Sequence, residues 1–268
     1  MIGAQIFGLT LLFVFIGYLL GSILFGDIVS KLKKVDLRSK GSGNVGATNA
    51  LRIMGKTVGF TVMILDFFKS WLSCFLCLII YKYAMPLIDS NLYSDLGVIV
   101  YLSGTFSVIG HCFPIMYLIV LFKTKFDFKE ANKYSGGKGV STAAGLMAAV
   151  SPWIFFACFI LFFTTVFISK YVSLSSILAI SLIPIMSLIP WMDYLYLMDV
   201  IDANILPIPS IDKAYEISNT ISYSKNIQYI LVLFFNCLVV DFIVIFRHRS
   251  NIVRLINKNE NKIFKKKV

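Results

Sequence analysis

The sequence has few charged residues: only 15% of its 268 residues are Asp, Glu, Lys or Arg. A typical soluble domain has about 25%. This shortage of charge accompanies a hydrophobic share of 58%, and several apolar runs approach the ~20 residues that cross a bilayer. The composition therefore excludes a soluble globular protein and predicts an all-α polytopic membrane protein.

Residues with metal-binding side chains are also scarce. The chain has only two histidines, His111 and His248, and five cysteines. Cys74 and Cys77 have the spacing of a redox or zinc pair, but a lone pair inside an apolar run favours packing. We therefore expect no metal ion and no cofactor. The apolar N-terminus lacks the basic start and cleavage site of a signal peptide, so it is predicted to remain as the first span.

Lysine and arginine are clustered, and the clusters predict the topology. Loop 31–56 carries seven Lys/Arg and one acid, loop 123–138 five Lys and two acids, and tail 247–268 eight Lys/Arg and one acid. Loops 82–95 and 192–226 carry more acids than bases. By the positive-inside rule the first three face the cytoplasm and the other two face outside. No nucleic-acid motif accompanies the net charge of +11, so we expect no nucleic-acid partner.

This charge pattern requires an odd number of spans, and we predict seven, with the N-terminus outside and the C-terminus in the cytoplasm. The short fourth span is only about 20 Å long at 1.5 Å per residue, so it needs protein neighbours or a thinner bilayer. The apolar segments are residues 4–28, 57–81, 96–121, 140–151, 152–169, 172–191 and 227–246. They make one membrane domain over 1–268, with cytoplasmic motif segments at 36–56, 110–142 and 247–260.

The first motif segment contains Gly41–Arg52, which reads GSGNVGATNALR. Glycine-rich backbone N–H groups at a helix start, with an arginine behind them, suit a phosphate or carboxylate. A flexible turn between helices is the alternative. The glycine spacing also matches the dinucleotide fingerprint, but no hydrophobic strand precedes it.

The second motif segment opens with GHCFP at Gly110–Pro114 and closes with GGKGVST at Gly136–Thr142. Its glycines allow close approach of an anion, the following helix start attracts negative charge, and Lys138 supplies a cation. It is not a Walker motif, because the required spacing and the Ser or Thr directly after the lysine are missing.

The third motif segment contains His248–Leu255, which reads HRSNIVRL directly after the last span. His248, Asn251 and Arg254 recur at i, i+3 steps and would share one helix face. A positive-inside stop with interfacial anchors is the alternative. A further pair, Asp66 and Lys69, lies inside the second span, where ionisable residues are functional or paired with one another.

Together these motifs resemble the bacterial acyl-phosphate:glycerol-3-phosphate acyltransferase (PlsY) family, whose patterns are GSGNxGATNxxR, GHxFP…GGKGVAT and HRxNIxRL. The resemblance implies a multi-pass inner-membrane enzyme with a cytoplasmic active site. The implied reaction, the first acylation of phospholipid synthesis, moves a fatty acyl group from acyl phosphate to the sn-1 hydroxyl of glycerol 3-phosphate. Lysophosphatidic acid and phosphate are the products. The substrates, membrane lipid and the upstream enzyme that forms acyl phosphate are the expected partners.

The resemblance assigns roles to residues of all three motifs. Catalytic roles are expected for Ser42, Arg52, Lys138, His248 and Asn251. Asp66 and Lys69 are expected to support the site. Substrate or phosphate binding is expected for Gly41, Gly43, Asn44, Gly46, Thr48, Asn49, His111, Gly136, Gly137, Gly139, Ser141, Thr142, Arg249 and Arg254. The chain departs from the family in a charged insert, 124–135, which we predict to be a cytoplasmic flap, and in Ser141, which stands where the family has Ala.

Acyl phosphate is already activated, so direct attack is favoured over a covalent intermediate on Ser42. His111, His248 or a substrate phosphate oxygen can serve as general base. The alternative function is a transporter for a phosphorylated or carboxylated solute, since broken helices that point at an anion are typical of transporters. The position of the motifs at the cytoplasmic edge, and the lack of an evident inverted repeat, favour the enzyme.

Overall fold

The computed structural model describes residues 2–89, 99–189 and 223–263. Every regular element in these ranges is a helix, which confirms the all-α class. The chain separates into two compact units, Met1–Leu146 and Met147–Val268. Of the predicted external loop 192–226, only its last four residues are described. Residues 90–95 of the other predicted external loop and the last five residues of the basic tail also lie outside the described ranges.

The first unit is built on three long helices. Helix α1 packs along α5, α4 packs against both, and α3 lies on α4. The helices are α1 (Ile2–Ser22), α2 (Phe25–Leu32), α3 (Ala47–Met54), α4 (Lys56–Asp89), α5 (Val100–Cys112), α6 (Ile115–Lys123), α7 (Phe128–Asn132) and α8 (Val140–Val150), of which α8 continues into the second unit.

In the described part of the second unit, α10 packs against the three other helices. They are α9 (Pro152–Ser169), α10 (Val172–Met186), α11 (Tyr223–Arg247) and α12 (Arg249–Ile256). The predicted break between the fourth and fifth spans is confirmed. Ser151 accepts a hydrogen bond from the backbone N–H of Ile154 and caps α9, with Pro152 in the first turn.

In the described residues, each predicted apolar segment lies mainly on one helix or on two consecutive helices. Within these residues, four helical stretches are long and apolar enough to cross a membrane: Ile2–Leu32, Lys56–Ala84, Pro152–Ser169 and Ile230–Arg247. Helices α8 and α10 are apolar but shorter. The long helices themselves expose large apolar side chains; Phe7, Phe167 and Phe242 are each more than half exposed. Such a surface suits lipid and not water.

The predicted third span, 96–121, is bent in its described part. Helix α5 ends at Cys112, α6 begins at Ile115, and their axes bend by 60°. Pro114 has no N–H to continue the helix and disfavours a helical conformation at the residue before it. Phe113 accordingly has φ −132° and ψ 73°. The bend turns α6 away from the axis of α5 directly after His111.

The charged insert 124–135 is packed against its own unit. Its short helix α7 is capped by Asp127, which accepts hydrogen bonds from the backbone N–H groups of Lys129 and Glu130. Ala131 is fully buried against Tyr117 and Leu121 of α6. The insert is therefore an ordered arm that leads directly into Gly136.

Small residues set the close approach of α1 and α5. Gly17 and Gly21 of α1 lie directly against the backbone of Ser103 and Ser107 of α5. A methyl group on either glycine would overlap a carbonyl group that belongs to the neighbouring helix. Such contacts between backbones are how helices associate in lipid, where the hydrophobic effect does not drive them together.

We expect the substitution Gly17→Ala to push α1 away from α5 and to lower stability by about 1–3 kcal/mol, as overpacking does. Thermal unfolding of the purified protein in detergent measures the effect. Gly8→Ala is the matched control on the same helix, because a Cβ there meets no atom within 4 Å. Equal unfolding temperatures for the two variants would contradict this account of the packing.

Candidate active site

The first loop, Gly41–Arg52, is held in shape by the buried side chain of Asn49. Its Nδ2 donates to the carbonyl groups of Leu37 and Lys40 at 3.1 and 3.0 Å. Its Oδ1 accepts from the backbone N–H of Ser42 at 3.0 Å. Asn49 is among the residues expected to bind substrate, but both ends of its amide are used inside the loop. It therefore shapes the loop.

Asn44 also acts within the first loop, since its Oδ1 accepts from the backbone N–H of Gly46 at 2.8 Å. Helix α3 begins directly after Gly46 without a side-chain cap, so the first N–H groups of the helix lack intrahelical partners. Ser42 is exposed, and Thr48 and Arg52 are partly exposed. Arg52 has no hydrogen bond or ion pair within the described part of the chain. This end of the loop can receive an anion.

The second loop, Gly136–Gly139, lies against the first. A Cβ on Gly46 would stand 3.9 Å from the Cα of Gly137, so the two glycine-rich loops meet backbone to backbone. Gly139 has a φ of +86°, a conformation that glycine adopts without strain, and its carbonyl accepts the first hydrogen bond of α8, from Ala143. Lys138 and Ser141 are partly exposed beside this turn.

A buried ammonium group supports the second loop from behind. Lys69 Nζ donates to the carbonyl groups of Gly21 and Ile23 at 3.0 and 2.8 Å and lies 2.7 Å from His111 Nδ1. An ammonium has three protons and no lone pair, so His111 Nδ1 must accept the third proton. The neutral imidazole then carries its own proton on Nε2, the ring edge that faces Gly137.

Asp66 completes this cluster by charge. Its Oδ1 lies 3.1 Å from Lys69 Nζ and 3.5 Å from His111 Nδ1, but it has no well-directed hydrogen bond in the described residues. All three side chains are at most 5% exposed. The expected pairing of Asp66 with Lys69 is therefore present, and His111, expected to bind substrate, lies behind the loop.

Thr142 is also placed away from the surface. It is fully buried at the start of α8, and its hydroxyl has no hydrogen-bond partner in the described ranges. In the first unit, the exposed or partly exposed polar side chains among the expected site residues are Ser42, Asn44, Thr48, Arg52, Lys138 and Ser141.

In the second unit, His248 precedes α12 and is 2% exposed. Its Nδ1 lies 2.7 Å from the carbonyl oxygen of Val244. A carbonyl only accepts, so Nδ1 carries the proton and the lone pair of the neutral ring is on Nε2. His248 thus has the tautomer opposite to that of His111. Arg249, expected to bind phosphate, is exposed and stacks over the Phe246 ring at 4.6 Å.

Asn251 and Arg254 share a helix face, as predicted, and both bind Glu260. Asn251 Nδ2 donates to Glu260 Oε1 and to Ser173 Oγ, each at 2.8 Å, and Arg254 Nε donates to Glu260 Oε2 at 2.7 Å. Burial alone would raise the pKa of the Glu260 carboxyl, but hydrogen bonds from Ser173, Arg254 and Asn251 outweigh it and lower this pKa. The buried Asn251 Oδ1 has no hydrogen-bond partner in the described residues.

Glu260 and Ser173 are the residues that the motif reasoning missed. Glu260 is the one acid in a tail that carries eight Lys and Arg, which is a usable signal for a buried role. Ser173 has no such signal, because its link to Glu260 and Asn251 depends on how α10 packs.

The chain resembles known proteins over nearly its full length. A family model described as glycerol-3-phosphate acyltransferase matches residues 11–258. A glycerol-3-phosphate acyltransferase of Malacoplasma penetrans is 55% identical, over 98% of this chain and 97% of the relative. One of Aquifex aeolicus is 32% identical, over 94% and 98%. The crystal structure of PlsY, an integral membrane glycerol 3-phosphate acyltransferase, in its glycerol 3-phosphate form matches with a TM-score of 0.62 and 29% identity, over 95% of this chain and 96% of that one.

We expect Lys69→Met to lower the unfolding free energy by about 3–5 kcal/mol, because it leaves the Asp66 carboxylate buried without its partner. Thermal unfolding in detergent measures this loss. The double variant Asp66→Asn, Lys69→Met removes both charges and should regain part of the stability. If the single and double variants unfold at the same temperature, the charge pairing is not what stabilises this cluster.

Proposed function

The chain belongs to the glycerol-3-phosphate acyltransferase family, and from this premise we propose that its acyl donor is acyl phosphate. The reaction acylates the sn-1 hydroxyl of glycerol 3-phosphate and yields lysophosphatidic acid and inorganic phosphate. The family membership confirms the resemblance that the three motifs carry. Both substrates hold a phosphate group, so the enzyme needs two anion sites that lie close together.

The contact between Gly46 and Gly137 is the observation that carries this proposal. It brings together two glycine-rich loops, each of which leads into a helix start. The first has Arg52 and Ser42 beside it, and the second has Lys138. Helix starts, backbone N–H groups and cations together bind phosphate. We assign one phosphate to each loop.

The transfer needs no covalent enzyme intermediate, because acyl phosphate already has a good leaving group. The glycerol oxygen attacks the acyl carbonyl carbon, and the bond from that carbon to the phosphate oxygen breaks. Donors fixed before the reaction stabilise the developing negative charge. The preformed loops and Lys138 suit this role.

The hydroxyl proton goes to a phosphate oxygen of the leaving group, and in the second unit His248 is the residue that the family resemblance suggests as an alternative base. His111 is unsuited as the base, since Lys69 occupies its Nδ1 and its Nε2 already carries a proton. His248 has its lone pair on Nε2, the nitrogen opposite its hydrogen bond to Val244. Within its own unit Asn251 offers a buried Oδ1 as an acceptor, while its Nδ2 is occupied.

We also propose seven spans in the inner membrane, with the motif loops and the C-terminus in the cytoplasm. The four long helices, the bent pair α5–α6, and the shorter helices α8 and α10 correspond one for one to the apolar segments. The charge clusters give the orientation.

The donor proposal predicts acyl transfer from palmitoyl phosphate to glycerol 3-phosphate by the purified protein, with one phosphate released for each lysophosphatidate formed. Acyl-CoA and acyl carrier protein thioesters are the control donors and should give no product. Activity with a thioester alone would overturn the acyl-phosphate assignment. A protein that only transports solutes would release no phosphate with any donor.

Arg52→Ala should lower kcat/KM about 100- to 1,000-fold, because a group that stabilises charge in the transition state is worth roughly 2.7–4 kcal/mol. Lys56→Ala is the matched control: it removes an exposed cation four residues further along, at the start of α4, and should leave kcat/KM within about twofold. Steady-state kinetics with both substrates varied gives these values. An unchanged kcat/KM in Arg52→Ala would exclude the residue from the site.

A further inference from the structure

The guanidinium group of Arg38 joins three segments of the first unit. Its Nη2 donates to Asp27 Oδ2 of α2 at 2.6 Å. Its Nη1 donates to the backbone carbonyl groups of Lys133 and Ser135, at 3.0 and 2.7 Å. Asp27 and Arg38 are about 30% exposed, so water weakens these bonds only in part. Both residues lie before the first motif, Gly41–Arg52, and outside the other two.

The two ends of this clasp lead directly into the two glycine-rich loops. On one side, Arg38 lies between Leu37 and Lys40, whose carbonyl groups anchor Asn49 of the first loop. On the other side, Ser135 is the residue before Gly136, the start of the second loop. The clasp therefore ties the root of one loop to the root of the other.

The loops themselves pack together only further along, at Gly46 and Gly137. Near the clasp, Arg38, Asp27 and Tyr134 line a cavity of about 710 Å³, so in the described residues this side of the arm borders open space. The nearest fixed points of the arm are Ala131, which is buried on α6, and Gly136, whose N–H donates to the Cys112 carbonyl at 3.0 Å. Between these two points, the Arg38 fork ties the arm to the segment that precedes the first loop.

We propose that Arg38 is a positioning residue that holds the second loop in register with the first, and that Asp27 orients its guanidinium group. Arg38 touches no reacting atom and acts through the backbone at 133–135. A planar fork is required, because one side chain must donate in different directions to a carboxylate and to two carbonyl groups. The inference rests on the proposed function, in which each loop binds one phosphate.

The first test is amide hydrogen exchange of the full-length protein in detergent, without substrate. In Arg38→Gln we expect peptides that cover 133–139 to exchange about tenfold faster, as the loss of charge-assisted hydrogen bonds implies, while peptides of α1 and α5 are unchanged. Arg38→Lys keeps the charge but not the planar fork, so its exchange rate at 133–139 should lie between those of wild type and Arg38→Gln. Lys129→Gln, which removes an exposed charge on the same arm, is the matched control and should match wild type.

The second test is kinetic. Arg38→Gln should raise KM about tenfold for one of the two substrates and change the other KM less than twofold, with partial rescue in Arg38→Lys and a smaller rise in Asp27→Asn. A purely structural role would lower the active fraction and leave both KM values unchanged. Unchanged exchange at 133–139, or an equal rise in both KM values, would overturn the proposal. If wild type transfers no acyl group from any donor, the proposed function fails, but the exchange experiment still tests the clasp.

Discussion

The buried ammonium group of Lys69 determines how several segments of the first unit are arranged around it. The charge of Lys69 is tolerable there only if its protons all find acceptors and a counter-charge lies close by. The acceptors come from Gly21, Ile23 and His111. Ile23 lies at the break between α1 and α2, so the end of α1 supplies a carbonyl group that an unbroken helix would have kept for itself.

The same requirement links the membrane interior to the cytoplasmic loops. Because Lys69 takes the lone pair of His111 Nδ1, the His111 ring is fixed in one tautomer and one orientation. The opposite edge of that ring supports Gly137, and Gly137 in turn lies against Gly46. The placement of the loops thus depends on a chain of contacts that begins with the Lys69 side chain of α4. Asp66 supplies the counter-charge.

The sequence was most informative where a feature of the fold depends on residues that are close together along the chain. The apolar runs predicted where the long helices lie. The break between the fourth and fifth spans was predictable from two adjacent residues, Ser151 and Pro152. The bend at Pro114 was harder to foresee, because the apolar run continues through it. Partners far apart along the chain, such as Arg38 with Ser135 or Asn251 with Ser173, were beyond reach, since their pairing depends on tertiary packing. Asn49 was expected to bind substrate because a side-chain amide can donate and accept hydrogen bonds. Only the folded loop shows that both ends of this amide already have partners within the protein.

The backbone contact between Gly46 and Gly137 limits the mutations by which this site could become resistant to an inhibitor. An inhibitor seated against that wall would meet backbone N–H and C=O groups, which every substitution except proline retains. A mutation that alters the shape of the wall must add a side chain at a place where the ring of His111 or the side chain of Asn44 already lies. Escape from such a compound would therefore damage the loop geometry that the enzyme itself uses, and the routes to resistance at this wall are few.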